Sequence, residues 1–190
     1  PVNVDNFNKV ADFHLKLGFN ADNLQCDGFT NVHPQLLDSM TGWVDQAEGI
    51  INLAWKSLEP VTFIQPETVA ELVFTTRNPG QGELDWYTGT TESYFTNSSG
   101  NPIPAEFSTG QVTIYEPPEI ILAQSKTVCT GQFVSLMSIA VGNQPPFSYR
   151  WIYPTGDSTS TDPFFFSITP ADAGLYTLLA TDRVGCTDQK

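Results

Sequence analysis

Positive charge is scarce in this sequence. Eight Lys and Arg stand against 21 Asp and Glu in 190 residues, a formal net charge of −13. Such a surface repels phosphate backbones and no basic patch offsets it, which excludes nucleic acid as a partner. Histidine is nearly missing. His14 and His33 lie far apart, and without a Cys-x-x-Cys or His-x-x-x-His spacing a zinc site is excluded. No Gly-x-Ser-x-Gly accompanies His33, so a serine hydrolase has no support. No run of about 18 apolar residues occurs, so no helix of this chain is expected to span a membrane. The opening PVNVDNF has neither a basic start nor an apolar stretch, and no signal peptide is expected within it. Cysteine is sparse as well: Cys26, Cys129 and Cys186 fit one disulfide plus one thiol, or three thiols.

What is present is strand grammar. FHLKLGF (13–19) alternates Phe13, Leu15, Leu17 and Phe19 against His14, Lys16 and Gly18, the period of a half-buried strand. GIINLAW (49–55), VAELVFTT (69–76), ELDWY (83–87) and QVTIY (111–115) follow, with RNPGQG and NSSGNP as turns. In HPQLLDSMTGWVDQA the residues Leu36, Leu37, Met40, Val44 and Ala47 also fit a short helix, but loop plus strand is the favoured reading. Two prolines in YEPPEI stop any continuous strand. The charge thins there too, from 15 acids and 4 bases in residues 1–116 to 6 and 4 in residues 117–190. A domain boundary is therefore expected near Pro117–Pro118. Beyond it QFVSLMSIAV, FSYRWIY, FFFSIT and LYTLLATD are short strands at sandwich spacing.

ITPADAGLYTLLATDRVGC (168–186) carries two acids, Asp172 and Asp182, that invite a catalytic reading. The Asp-x-Gly-x-Tyr spacing instead resembles the E–F corner of immunoglobulin-like domains, where a tyrosine hydroxyl bonds back to nearby backbone. The matching residues are Asp172, Gly174 and Tyr176, with Trp151 in the place of a buried strand-C tryptophan. Asp172 then serves the corner rather than catalysis. Antibody-type cysteines are absent from strands B and F. With Cys129 in VCTGQ and Cys186 in RVGC, the stretch PPFSYRW followed by TPADAGLY is similar to the immunoglobulin-like and PKD-like repeats of Bacteroidetes-type surface proteins. That resemblance implies a Cys129–Cys186 disulfide, worth about 2–4 kcal/mol, and a location outside the cytoplasm.

The first half, PVNVDNFNKVADFHLKLGFNADNLQ, resembles the opening of cohesin-like modules through Phe7, Val10, Phe13, Leu17 and Leu24. The resemblance implies a jelly-roll sandwich over residues 1–116 that binds proteins or glycans. The family pattern runs past both ends of the chain. This fits either a fragment of a longer repetitive protein or assembly by strand donation, with fragment favoured.

Other candidates are thinner. Asp5, Asn20 and Asp22 offer hard oxygen ligands for calcium on loops expected to lie close together, although the same residues suit turns. Trp43, Trp55, Trp86 and Tyr87 could stack on sugar, with core packing favoured. The acid pairs Asp45/Glu48 and Glu67/Glu71 could serve a glycosidase only across a cleft. Asp38–Met40 and Asp157–Thr159 resemble O-glycan acceptor triplets, which points to Ser39 and Ser158. Asn97 is an N-glycan acceptor only in a eukaryotic secretory route. The expectation is an all-β chain of two tandem β-sandwiches, cohesin-like over 1–116 and immunoglobulin-like over 117–190. It is read as a non-enzymatic structural or adhesive segment of an extracellular or cell-surface bacterial protein. No cofactor beyond candidate calcium is expected, and the partner is a protein, a second copy or a glycan.

Overall fold

Residues 10–19 do what their alternation requires. In the computed structural model, which describes residues 1–89, 91–121 and 125–190, strand β2 (Val10–Phe19) buries Phe13, Leu15, Leu17 and Phe19 and leaves His14, Lys16 and Gly18 half-exposed. It pairs with β5 (Ile50–Val61), which pairs in turn with β4 (Thr41–Asp45). Along its other edge β2 holds β7 (Gly80–Trp86) over Leu17–Phe19 and β8 (Tyr94–Thr96) over Asp12–His14. The short β9 (Pro102–Ile103) extends β8, and β10 (Gly110–Ile114) extends β7, completing a seven-stranded sheet. Opposite lies a three-stranded sheet ordered β1 (Val2–Val4), β6 (Glu67–Thr76) and β3 (Leu24–Thr30).

Between these sheets lies a core in which Phe13, Leu24, Leu36, Ile51, Leu53 and Val69 are fully buried. Each such Leu, Ile or Phe stabilises the fold by about 1.5–3 kcal/mol. Phe7 stacks on Phe63 at 4.7 Å between ring centroids, and Phe13 lies 5.8 Å from both Trp55 and Phe95. The ambiguous HPQLLDSM segment resolves into a turn. Met40 N–H donates to the Leu36 carbonyl at 3.0 Å, and Leu36 is the one side chain of that turn driven into the core. Gly49 is required where it stands. It sits at φ 65°, and a Cβ there would come 2.2 Å from the Phe19 carbonyl oxygen, while Phe19 N–H donates to Gly49 O at 2.7 Å.

The chain divides into two compact units, Pro1–Ile114 and Tyr115–Lys190. In the second, β15 (Ser158–Thr159), β14 (Ser148–Ile152), β17 (Thr177–Thr181) and β18 (Thr187–Gln189) form one antiparallel sheet in that order. Against it stand β11 (Glu119–Ile120) paired with β13 (Ala140–Val141), and β12 (Val134–Ser135) paired with β16 (Phe164–Phe165). Because β12 and β13 are two ends of one strand path, the sheets read A-B-E and C′-C-F-G, the immunoglobulin-like order. The core is small: Ile120, Trp151, Leu178 and Ala180, flanked by Leu136, Ala140, Tyr149 and Tyr176. The described residues are all-β, two sandwiches in tandem along the sequence, with one 3₁₀ turn among them at Pro170–Asp172.

That turn is the E–F corner. The Tyr176 hydroxyl donates to the Asp172 carbonyl oxygen at 2.8 Å. Thr169 N–H and Oγ1 donate to the Asp172 carboxylate at 2.8 and 2.7 Å and hold its pKa below the usual carboxylate range. Burial raises the Tyr176 pKa, with Asp172 and Tyr153 adding to the effect. Gly174 lets the corner press on Pro154, whose ring carbons would stand 2.6 Å from a Cβ.

Asp182 is buried and accepts from Val184 N–H and Cys186 N–H at 3.0 and 2.9 Å, fastening the F–G turn. Its carboxylate is occupied by the turn it closes.

The expected Cys129–Cys186 bridge is corrected here: both are free thiols. Cys129 precedes strand B, beside the end of strand E, where Gly131 N–H meets Ile168 O. Cys186 lies in the F–G turn, beside Thr181, which pairs with the first residue of β14. Strand B climbs the sandwich between them, a separation on the order of 20 Å at ~3.3 Å per residue, whereas a disulfide holds Cα atoms about 5.5–6 Å apart. Sequence motifs at two strand ends do not report which end of the sandwich each strand reaches.

Candidate protein-binding face

The register of the seven-stranded sheet fixes which side chains leave its outer face. Partners that face each other across a ladder share a face. Asp12, His14, Lys16 and Gly18 of β2 therefore stand with Lys56, Ala54, Asn52 and Ile50 of β5, and these with Thr41, Trp43 and Asp45 of β4. Asp85 of β7 and Tyr94 and Thr96 of β8 join on the other side. Trp43 is 60% exposed on this face, against 3% for Trp55, whose ring lies in the core.

Charge on the face is held in place. Lys16 Nζ meets the Glu92 carboxylate at 2.7 Å and lies 4.6 Å above the Tyr87 ring centroid. His14 Nδ1 sits 2.6 Å from the Glu92 carbonyl, and Lys56 Nζ lies 3.1 Å from Asp12. The packing of Tyr87 on the backbone of Gly18 leaves no slack, since a Cβ at residue 18 would meet that ring at 3.0 Å. Between Lys16 and Trp43 in register lies Asn52, buried, with its Nδ2 lacking a hydrogen-bond partner. The result is a sheet surface with fixed cations, an exposed indole and an exposed phenol. It offers van der Waals area and fixed charge, and Trp, Tyr and Arg-type anchors are what protein interfaces use.

The other candidates fall elsewhere. Trp86 is half-buried, its Nε1 donating to Ser108 O at 2.9 Å, so Trp43 and Tyr87 are the exposed members of that aromatic set. Asp5 lies before β2 and Asn20 and Asp22 lie after it, so ten residues of strand, about 30 Å, separate loops that were expected to be neighbours. Asp5 accepts from Asn6 N–H and Asn20 from Asp22 N–H, both turn contacts. Asp45 caps its own turn by accepting from Ala47 and Glu48 N–H at 3.1 Å, and Glu71 takes Asn31. His33 packs against Phe63 in a tilted arrangement, 4.4 Å between centroids. Ser39 and Ser158 are both exposed, Ser158 Oγ accepting from Arg150 Nε at 3.1 Å. Cys26 is buried, which raises its thiol pKa against a weak bond to the Gly28 carbonyl that lowers it.

Two features escaped sequence reasoning. The Asp162 carboxylate accepts from Trp151 Nε1 at 3.1 Å, from Ser138 N–H at 2.9 Å and from the Ser138 hydroxyl, tying strand C to strand B. Nothing in TSTDPFFF marks that aspartate as a core partner. The Lys16–Glu92–Tyr87 cluster joins residues over 70 positions apart, and only the β2–β8 pairing reveals it.

Neither a family model nor a curated protein matches the chain. Among solved structures, the CaDoc0917–CaCohA2 complex is similar at 14% identity over 59% of this chain and 89% of that chain, with a TM-score of 0.50. That share exceeds the second unit's 76 of 190 residues, so it draws on the first. The first unit has the cohesin fold. The third cohesin of ScaC from Acetivibrio cellulolyticus, solved with the ScaB dockerin, is similar at 9% identity over 57% of this chain and 80% of that chain (TM-score 0.48). The amphioxus IgVJ-C2 molecule spans 100% of this chain and 93% of its own at 17% identity (TM-score 0.34). The immunoglobulin-like order of the second unit stands on its own strand pairing and corner.

Proposed function

We propose that this chain is a non-enzymatic segment of an extracellular or cell-surface protein, in which the cohesin-fold unit binds a protein partner and the immunoglobulin-like unit is a structural spacer. One observation carries the reading: a fixed outer sheet face that presents Trp43 and Tyr87 beside the Lys16–Glu92 pair. The similar CaCohA2 was itself solved in complex with CaDoc0917. A dockerin-type module is the partner class this supports. The resemblance of the second unit's sequence pattern to repeats of Bacteroidetes-type surface proteins is what supports an adhesin-like setting. Filament assembly by strand complementation draws no support from the pairing, since Val2–Val4 already pairs β6 and Thr187–Gln189 already pairs β17.

The test is calorimetric titration of the full chain with a panel of dockerin modules and, separately, with polysaccharides. Saturable binding to a dockerin, weakened at least ten-fold by Trp43→Ala, is the expected result; ten-fold is about 1.4 kcal/mol, within what a hot-spot Trp contributes. Binding to a polysaccharide that Trp43→Ala abolishes, with every dockerin silent, overturns the reading in favour of a carbohydrate-binding module.

A further inference from the structure

The A-B-E sheet of the second unit turns an apolar face to solvent. Along the path from Phe133 to Val141 the side chains alternate. Val134, Leu136 and Ala140 enter the core, while Phe133, Met137, Ile139 and Val141 stand outside. The E strand repeats this. Phe165 turns inward to Tyr176, 5.9 Å between centroids, and Phe164 and Phe166 stand out. Ile121 follows β11 on the same side, its N–H donating to the Ile139 carbonyl at 2.8 Å. Phe164 lies 4.8 Å from Phe133 and 4.6 Å from Phe166, so the rings form one ridge. These seven side chains are between 44% and 82% exposed.

Aromatic side chains carry about 150–250 Å² each, and aliphatic ones somewhat less, so the face leaves on the order of 700 Å² of apolar surface open. The largest patch on an ordinary monomer is about 300–600 Å². A standard interface takes about 800 Å² from each partner. The face therefore has the area of half an interface. Its charge agrees with its area. In a chain of net charge −13, the charges at this face among the described residues are few: Glu119 pairs with Val141 at one end of strand B. At the other end Lys126 Nζ donates to the Ser135 carbonyl at 2.6 Å.

We propose that this face docks a second copy of the chain. The two A-B-E sheets pack face to face about a twofold axis with their B strands antiparallel, an aligned sheet packing. That arrangement buries the phenylalanine ridge of each copy under the other. It also sets Lys126 of one copy against Glu119 of the second, so the acidic chains meet where they do not repel.

Sedimentation velocity of the full chain over a hundred-fold range of micromolar concentration tests it. The expected mass rises from 20.9 kDa towards twice that value. Phe166→Glu and Met137→Glu, both at exposed positions, should weaken association at least a hundred-fold with an unchanged circular dichroism spectrum. Leu58→Glu, exposed on the first unit, should leave it intact. Lys126→Glu should weaken it, and adding Glu119→Lys should restore it. A wild-type chain that stays at 20.9 kDa at the highest concentration overturns the proposal. So does association that survives both charged variants, or that Leu58→Glu disrupts equally.

Discussion

Trp151→Ala is the sharpest perturbation the second unit offers. The buried cluster at its core is small, and Trp151 is the largest side chain in it. Its indole N–H also closes the contact to Ser138 Oγ at 2.9 Å and to Asp162. Truncating a buried Trp to Ala costs about 3–5 kcal/mol. A unit of 76 residues, at about 0.05–0.15 kcal/mol per residue, holds roughly 4–11 kcal/mol in all. The substitution thus removes about a quarter of that stability at the least, and all of it at the worst. At about 4–8 °C per kcal/mol for a domain of this size, the melting temperature of the second unit falls by at least 12 °C. The first unit has its own cluster of buried residues, Phe13, Leu53 and Val69 among them. Differential scanning calorimetry should therefore show two transitions, of which Trp151→Ala lowers or erases one and leaves the other in place. A joint shift of both transitions refutes the separation of the two cores, and a drop of less than about 5 °C in the second unit's refutes the anchoring role of Trp151.

Smaller perturbations give graded outcomes. Tyr176→Phe deletes one hydrogen bond to the Asp172 carbonyl and should cost about 1 kcal/mol, read as a lower urea midpoint of the second unit at unchanged slope. Thiol titration of the native chain should label Cys129 fast and Cys26 only on unfolding, because Cys26 is buried with a raised thiol pKa; an intact mass that rises by two hydrogens on reduction would contradict the free thiols. The folded pKa of Asp172 is depressed, so its contribution is fully present above the unfolded value of about 3.9 and is lost as pH falls through the folded value. The stability gap between wild type and Asp172→Ala should accordingly be flat from neutral to mildly acid pH and close only in stronger acid. A gap that closes near neutrality contradicts the assignment.

The all-β class was legible because period-two patterning is local. Phe13, Leu15, Leu17 and Phe19 announce a half-buried strand whatever pairs with it. The cohesin-like start was legible for the same reason, since its apolar spacing lies within one strand and the turn after it. Which aromatics leave the sheet was not legible. The ladder slips between Val10 and Asp12 and again between Cys26 and Gly28, and each slip changes which face a downstream side chain meets. Trp43 and Trp55 both lie in strands, yet one is solvent-facing and the other core. The cysteine pairing failed for a related reason: strand direction, not motif order, decides which end of a sandwich a residue reaches. FFF at 164–166 reads as a strong strand, and its parity against Val134 is what turns two of the three rings outward.

Hydrogen exchange of the full chain, with and without a bound dockerin module, tests the central claim most directly. The account predicts added protection in β2, β4, β5 and β8, the strands that carry His14, Trp43, Lys56 and Tyr94 on one outer face. Protection confined to the β1-β6-β3 sheet, or to the second unit, contradicts it.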